Sequence, residues 1–342
     1  MKMTKRRLSA TLALILSVSL AGAEPVAIKL ANIMPENTPW GRGLNKLSAE
    51  WSALSGGKIQ LRLYHGTQGN STSVRQKMNI GTLDAGVFDT TGLALIVPEI
   101  LTLSTPNLIQ NEAEMDAVLA AILPAFEKRL AENGYMVLTW SKAGWVHFFT
   151  RRPVTKPDEL KAMKLAVSAD EERIQRVFKY LGYRIVPTPF PAVVQSLNTG
   201  TIDAFYGSPL VLGSLWSTLS RLAPNMVEIP LAPVIGAVLI RKSSWAKLEA
   251  AVKDDPELLG KLQESMAAIG REMDREVIKK EEQTIAEFKK YGLVVPPVDA
   301  AAKALWRDDF KRALESGTID SVDPATFEAI TAAIEGVRKG RK

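Results

Sequence analysis

Short runs in which apolar and polar residues alternate are separated by longer stretches whose apolar positions recur every three to four residues. That succession predicts strands alternating with helices. Val26-Ala27-Ile28-Lys29-Leu30-Ala31 reads as a first strand and Ile59-Gln60-Leu61-Arg62-Leu63-Tyr64 as a second, with an amphipathic helix between them from about Gly41 to Leu54. A helix from about Glu112 to Asn133, capped by Gly134, precedes a buried strand, Tyr135 to Trp140, and an aromatic strand follows at Trp145 to Thr150. Lys164 to Ser168 is a strand leading into a charged helix, Asp170 to Leu181, and Val234 to Ile240 is a fully buried strand. A long helical region with a break at Asp254-Asp255-Pro256 runs to about Tyr291, and two further helices close the chain.

Within this order one phrase occurs twice. Met78-Asn79-Ile80-Gly81-Thr82-Leu83-Asp84-Ala85 returns as Leu197-Asn198-Thr199-Gly200-Thr201-Ile202-Asp203-Ala204. Each copy ends a helix with a glycine suited to positive φ and passes through Asp into an apolar run, so each marks a helix, a tight turn and a strand. The copies lie too far apart for a solenoid, whose repeats run roughly 20–50 residues, and suit two similar α/β lobes with a cleft between them. The shared turn, rather than acid–base work, is the expected role of Asp84 and Asp203.

Charge changes the picture mainly at the amino end. Lys2, Lys5, Arg6 and Arg7 precede an apolar run from Leu8 to Leu20 and then Ala21-Gly22-Ala23, which reads as a cleaved secretory signal over residues 1–23. The formal charge of +6 falls to +2 without that leader, because residues 1–23 hold four basic and no acidic groups. Nothing in that balance argues for nucleic acid, and the basic tail Arg338-Lys339-Gly340-Arg341-Lys342 reads as a solvated end. The chain has no cysteine, which excludes disulfides, thiolate chemistry and a lipidated cleavage site together. The expectation is an exported periplasmic protein, not lipid-anchored.

A search for catalysis comes up short. His65 and His147 stand on separate strands with no metal-ligand spacing, and no nucleophile elbow, P-loop or dinucleotide fingerprint occurs. No metal and no cofactor is expected. Candidate binding groups instead gather at predicted strand ends and the loops after them, where open α/β sheets bind ligands: Trp40, Phe88, Asp89, Thr90, Trp145, Ser168, Phe190, Tyr206 and Ser208. The aromatic members suggest an apolar pocket with few fixed charges.

Gly81-Thr82-Leu83-Asp84-Ala85, Arg152-Pro153-Val154, Asp158-Glu159-Leu160-Lys161, Leu181-Gly182-Tyr183 and Pro187-Thr188-Pro189-Phe190 occur in this order ahead of or within the two copies. In that order the chain resembles the DctP family, the periplasmic solute-binding proteins of tripartite ATP-independent periplasmic (TRAP) transporters. The resemblance implies an α/β, two-lobed, type II-like "Venus-flytrap" with a long helix spanning both lobes. It also implies one small molecule delivered to membrane permease subunits by cleft closure. On this reading residues 24–144 and 233–268 form lobe I, and residues 145–232 and 269–342 form lobe II with the C-terminal helices.

The departures bear on the ligand. Carboxylate-binding members of the family carry an arginine in the strand matching Leu165-Ala166-Val167, where this chain has Ala166. Sialic-acid-binding members add one where Trp145 stands, and the asparagine common after the second copy falls at about Gly207. Closing a cleft on an unpaired carboxylate is costly, so a neutral or largely apolar ligand is expected. Arg152, Arg173 or Arg184 is the alternative source of a cation. The Arg-poor subgroup that works with a tetratricopeptide-repeat periplasmic partner is similar in this respect, and such a partner is an expectation. An ABC-importer or sensor-coupled binding protein shares the same two-lobed logic, and a periplasmic enzyme is the reading from another class.

Overall fold

A computed structural model describes residues 25–169, 172–319 and 322–340. The leader expected over residues 1–23 lies outside the described residues. The strands are β1 (Val26–Asn32), β2 (Ile59–His65), β3 (Ala85–Asp89), β4 (Tyr135–Thr150), β5 (Lys164–Val167), β6 (Arg184–Pro187), β7 (Ala204–Gly207), β8 (Asn225–Met226) and β9 (Ala232–Arg241). The helices between β1 and β4 are α1 (Pro39–Leu54), α2 (Ser71–Asn79), α3 (Thr90–Ala94) and α4 (Glu112–Glu132). Then come α5 (Pro157–Lys161), α6 (Glu172–Tyr180), α7 (Val193–Asn198), α8 (Pro209–Leu212) and α9 (Trp216–Leu222). After β9 follow α10 (Lys242–Ala251), α11 (Pro256–Lys290), α12 (Ala300–Glu315) and α13 (Pro324–Gly340).

Along the sheet the order is β2-β1-β3-β9-β4-β7-β5-β6, with β8 paired to β4. β1, β2 and β3 are parallel, as are β5, β6 and β7, and each of these two sets is closed by an antiparallel strand. β4 belongs to both. Its first part pairs with β9 and its end, His147 to Thr150, pairs with β7. Two strands expected at Tyr135–Trp140 and Trp145–Thr150 are therefore one, carried through a register shift between Lys142 and Trp145. Gly144, with φ of 87°, makes that kink possible.

Helices cover the two sets from both faces and give the two-lobed α/β fold. Phe88, Val118, Ile122, Phe126 and Leu239 anchor one core of the first set, and Trp40, Leu44, Trp51, Met266 and Met273 anchor the core on its other face. Phe148, Phe178, Trp306 and Phe310 fill one core of the second set, and Phe149, Phe205, Trp216 and Phe288 fill the other. α11 contributes to both lobes: Leu262 to Val277 enter the first, and Phe288 stacks on Trp216 in the second with ring centroids 4.1 Å apart. The long helix thus begins at Pro256, after the break expected at Asp254-Asp255-Pro256, and α10 stands apart from it. α13 places Ile330 and Ile334 in the first lobe's core, although the sequence reading had grouped residues 269–342 with the second.

The repeated phrase forms the same clip in each lobe. Asp84 accepts the Lys29 amide on Oδ2 at 3.0 Å and returns its own N–H to the Lys29 carbonyl at 2.9 Å. Asp203 does the same with Lys164, at 3.1 and 2.8 Å. An arginine from the neighbouring antiparallel strand then reaches the end of the repeat helix: Arg241 donates to the Met78 carbonyl, and Arg151 to that of Leu197. Orphan carbonyls at a helix end are satisfied by a cation there, which also suits the helix dipole.

Candidate functional site

The carboxyl ends of β1 and β3, and the amino-terminal half of the antiparallel β9 beside them, open onto the seam between the lobes. Asn32 ends β1 and turns the chain, accepting the Met34 amide on Oδ1 at 3.1 Å. Thr38 caps α1 by accepting the Gly41 amide at 3.1 Å, and Pro39 starts the helix, which sets Trp40 at its first turn. The Trp40 indole lies against β9 at Gly236, where a Cβ would come within 3.0 Å of the ring. Asp89, the last residue of β3, caps α3: its Oδ1 accepts the Gly92 amide at 2.8 Å and the Ser71 hydroxyl at 3.2 Å. Ser208 caps α8 from the opposite lobe, accepting the Leu210 amide at 3.3 Å.

Four cavities adjoin along this seam. A chamber of about 390 Å³ lies among Trp40, Phe88, Val234, Leu210, Val211 and Val277, with Asp89 and Ser208 on its wall. A pocket of about 240 Å³ follows on the other side of Asp89, against Val146, Phe178, Tyr206 and Pro233. A recess of about 350 Å³ is more polar, with Asn70, Ser71 and Thr72 facing Asp89 and Thr91. An outer groove of about 600 Å³ separates Thr91, Leu95 and Ser104 from Arg173 and Arg176 on α6. Asp89 is common to the first three. Sizes of this order suit small-molecule sites, which are mostly apolar with a few placed polar groups.

Of the residues expected to bind ligand, Trp40, Phe88, Asp89, Thr90, Tyr206 and Ser208 line these cavities. The Thr90 hydroxyl is committed elsewhere: it donates to the Ile235 carbonyl and accepts the Ile235 amide, both at 3.1 Å, so it ties β3 to β9. Trp145 does not reach the cavities. It sits inside β4 rather than at a strand end, is 8% exposed in the first lobe's core, and donates its indole Nε1–H to Glu112 at 2.6 Å. Phe190 is 46% exposed on a turn and lines none of the four. Ser168 lies just past β5, where its backbone N–H approaches the Tyr206 hydroxyl at 3.4 Å and its carbonyl accepts Gln175, again off the cavities. Val234 and Gly236 of β9, Leu210 and Val211 of α8, and Val277 and Lys280 of α11 complete the chamber and carried no sequence signal beyond burial or helical spacing.

Charge is sparse on the chamber wall. Arg42 at its edge is engaged by Glu276 at 2.9 Å, and Lys280 stands exposed at the rim. Ala166 is 4% exposed and packed with Val193, Leu197 and Phe205. Neither histidine suggests chemistry: His147 donates from Nδ1 to the Val227 carbonyl at 3.1 Å, and burial lowers its pKa to about 4, while His65 is held between Asn32 and Asn45. Among the described residues no group of His, Asp and Glu is arranged to hold a metal ion. No helix among them is long and apolar enough to cross a membrane.

This arrangement of two parallel sets, a shared crossing strand and a long bridging helix has known counterparts. Residues 30–319 match the family of bacterial extracellular solute-binding proteins, family 7, known as DctP. The chain belongs to that family. A relative, the solute-binding protein of Chromohalobacter salexigens, is 28% identical over 199 residues, a match spanning 57% of this chain and 59% of the relative. In shape the chain is similar to a TRAP periplasmic solute-binding protein of Ochrobactrum anthropi, whose own C-terminus is bound in its ligand pocket. That similarity has a TM-score of 0.80 at 20% identity and covers 93% of this chain and 97% of the other. It is also similar to a TRAP periplasmic solute-binding protein of C. salexigens with bound D-glucuronate, with a TM-score of 0.73 at 19% identity, covering 90% and 99%. At these identities the two structures bear on the fold. The ligand of the second is a sugar acid, which gives no support to the expectation of an uncharged ligand.

Proposed function

We propose that this DctP-family chain is the periplasmic ligand-binding component of a TRAP-type transporter, and that it captures a small molecule in the seam around Asp89 and passes it to membrane permease subunits. On this reading residues 25–144 and 233–277, together with α13, make up one lobe and most of the remaining described residues the other. A ligand touching α1 and β3 on one side and α8 and β7 on the other favours the closed state by its differential contacts, which is the whole thermodynamic basis of capture.

For the ligand itself, the observation that carries the reading is the composition of the chamber: an apolar wall of Trp40, Phe88, Val234, Leu210 and Val211 with one carboxylate, Asp89, while the two cations of the lining stay at its edge, Arg42 paired with Glu276 and Lys280 exposed at the rim. An uncharged molecule with an apolar body and a hydroxyl or other donor turned to Asp89 fits those groups. A carboxylate placed there would be desolvated beside a like charge. A second reading rests on Arg173 and Arg176, which line the outer groove and could receive an acid in place of the arginine missing at Ala166. Calorimetric titration with matched pairs of compounds, each an acid and its amide or alcohol, separates the two. The first reading expects the uncharged member to bind more tightly and Arg173→Gln with Arg176→Gln to leave its affinity unchanged. Tighter binding of the acid, lost in that double variant, selects the second.

The Arg-poor chamber is also the ground for proposing a tetratricopeptide-repeat periplasmic partner. Affinity capture on the immobilised chain from periplasmic extract combined with detergent-solubilised membranes, with mass-spectrometric identification, is the test, and recovery of permease subunits without any such protein removes this part of the proposal.

A further inference from the structure

Where β4 passes from one lobe to the other, α11 holds it on both sides of the kink. Before the kink, the Lys142 amide donates to Asp274 Oδ1 at 2.6 Å. After it, the Trp145 amide donates to Glu281 Oε1 at 2.9 Å. The two acids are seven residues apart, two turns of one helix face. Between them lies Gly144, at φ of 87°, where a Cβ would stand 2.8 Å from Glu281 Oε1. The carboxylate therefore occupies the space that the missing side chain leaves.

Three further groups converge on the same point. Lys142, 5% exposed, reaches Glu112 and Asp116 of α4 at 2.6 Å each, and Glu112 also accepts the Trp145 indole. Glu281 is itself buried, and among the described groups its one hydrogen bond is to the Trp145 amide. Glu112 of α4 acts on its charge directly, and Asp116 of α4, Lys142 of β4 and Asp274 of α11 are joined to one another and to Glu112 at the same junction. α8 brings none, and the nearest cation of α1, Arg42, is taken by Glu276.

We propose that Glu281 is a hinge-positioning residue: it clasps the crossing strand at the Gly144 kink, and its protonation state sets the balance between lobe arrangements and so the affinity of the cleft. Bending at Gly144 moves the Trp145 amide relative to α11, so the clasp exists in one lobe arrangement and not in others. This builds on the two-lobed capture proposed above, and supplies the residue through which closure responds to protons.

The direction follows from linkage. In the clasped arrangement burial, with the Glu112 charge adding to it and the Trp145 hydrogen bond opposing it, raises the Glu281 pKa to about 7. An arrangement that lets water reach the carboxyl returns it towards its ordinary value. The clasped arrangement then binds the proton more tightly, so it gains population as pH falls through 7 and loses it as pH rises.

The chain lacks cysteine, so a spin-label pair can be placed at Ala49→Cys on α1 and Lys311→Cys on α12, one per lobe. Pulsed electron–electron distance measurement on the full-length, ligand-free protein should show a distance distribution that shifts between pH 6 and pH 8. In Glu281→Gln the distribution should be the same at both pH values and lie at least as far toward the clasped arrangement as that of the parent at pH 6. A parent that does not shift, or a Glu281→Gln variant that shifts as the parent does, overturns the proposal. Should that variant fail to fold, Glu112→Gln replaces it: removal of the like charge must lower the pH midpoint of the shift, and an unchanged midpoint overturns the proposal. Because no ligand takes part, a negative result here leaves the reading of the cleft standing, and a failed ligand titration leaves this one standing.

Discussion

The two halves of the chain agree where they fold and disagree where they face each other. At the helix-to-strand turn the copies are superimposable in their chemistry: Asp84 and Asp203 clip the first strand of each set, and Arg241 and Arg151 close the end of each repeat helix. The strands clipped in this way also read alike from the clipped lysine onward, Lys29-Leu30-Ala31 in one and Lys164-Leu165-Ala166 in the other. A few residues on, at the carboxyl ends, β3 runs into Asp89 and Thr90 while β7 runs into Gly207 and Ser208. The turn serves the fold and is constrained by backbone hydrogen bonds, whereas the strand ends line the seam cavities and are free of that constraint.

That contrast can be broken most forcefully at the clips. Asp84→Ala leaves the Lys29 amide and the Ser244 hydroxyl without their acceptor, and Asp203→Ala does so for the Lys164 amide. Urea unfolding should show a loss of about 1–3 kcal/mol for each, larger for Asp84, which accepts from two groups. Equal and negligible losses would mean that the duplication is an accident of punctuation. Gly81→Ala and Gly200→Ala come next: both glycines hold positive φ, 81° and 70°, so each substitution should cost about 1–2 kcal/mol, with Gly81→Ala the costlier because its Cβ would stand 3.1 Å from Arg241 Nη1 while that at Gly200 meets open space.

At the divergent ends the expected changes are in binding rather than stability. Val211→Asp places a charge on the chamber wall at a half-exposed position, so ligand affinity should fall about tenfold, roughly 1.4 kcal/mol, with the unfolding midpoint unmoved. Phe190→Ala, on an exposed turn away from the cavities, should change neither affinity nor stability by more than about 0.5 kcal/mol. A loss of affinity in Phe190→Ala would bring that turn into the closed cleft.

Much of the fold was legible because its signals are local. Strand alternation, the capping glycines and the Asp of each repeat act on their own neighbours in sequence, and the break before Pro256 follows from proline geometry alone. The site was legible in part. Trp40, Phe88, Asp89, Tyr206 and Ser208 were reachable by following strands to their ends. Trp145 was misplaced because Gly144 lets β4 continue through a kink that reads, in sequence, as the gap between two strands. Val211, Val234 and Lys280 could not be found that way, since what makes them a wall is the approach of α8, β9 and α11 across hundreds of residues of chain.

The most direct test of the central claim, that the seam around Asp89 holds an uncharged solute, is native mass spectrometry of the protein purified without refolding, with identification of the small molecule released on denaturation. A neutral compound of low mass, present on the parent protein and absent from Val211→Asp, is the predicted result. A sugar acid or dicarboxylate retained by Val211→Asp and lost from Arg173→Gln with Arg176→Gln would contradict it.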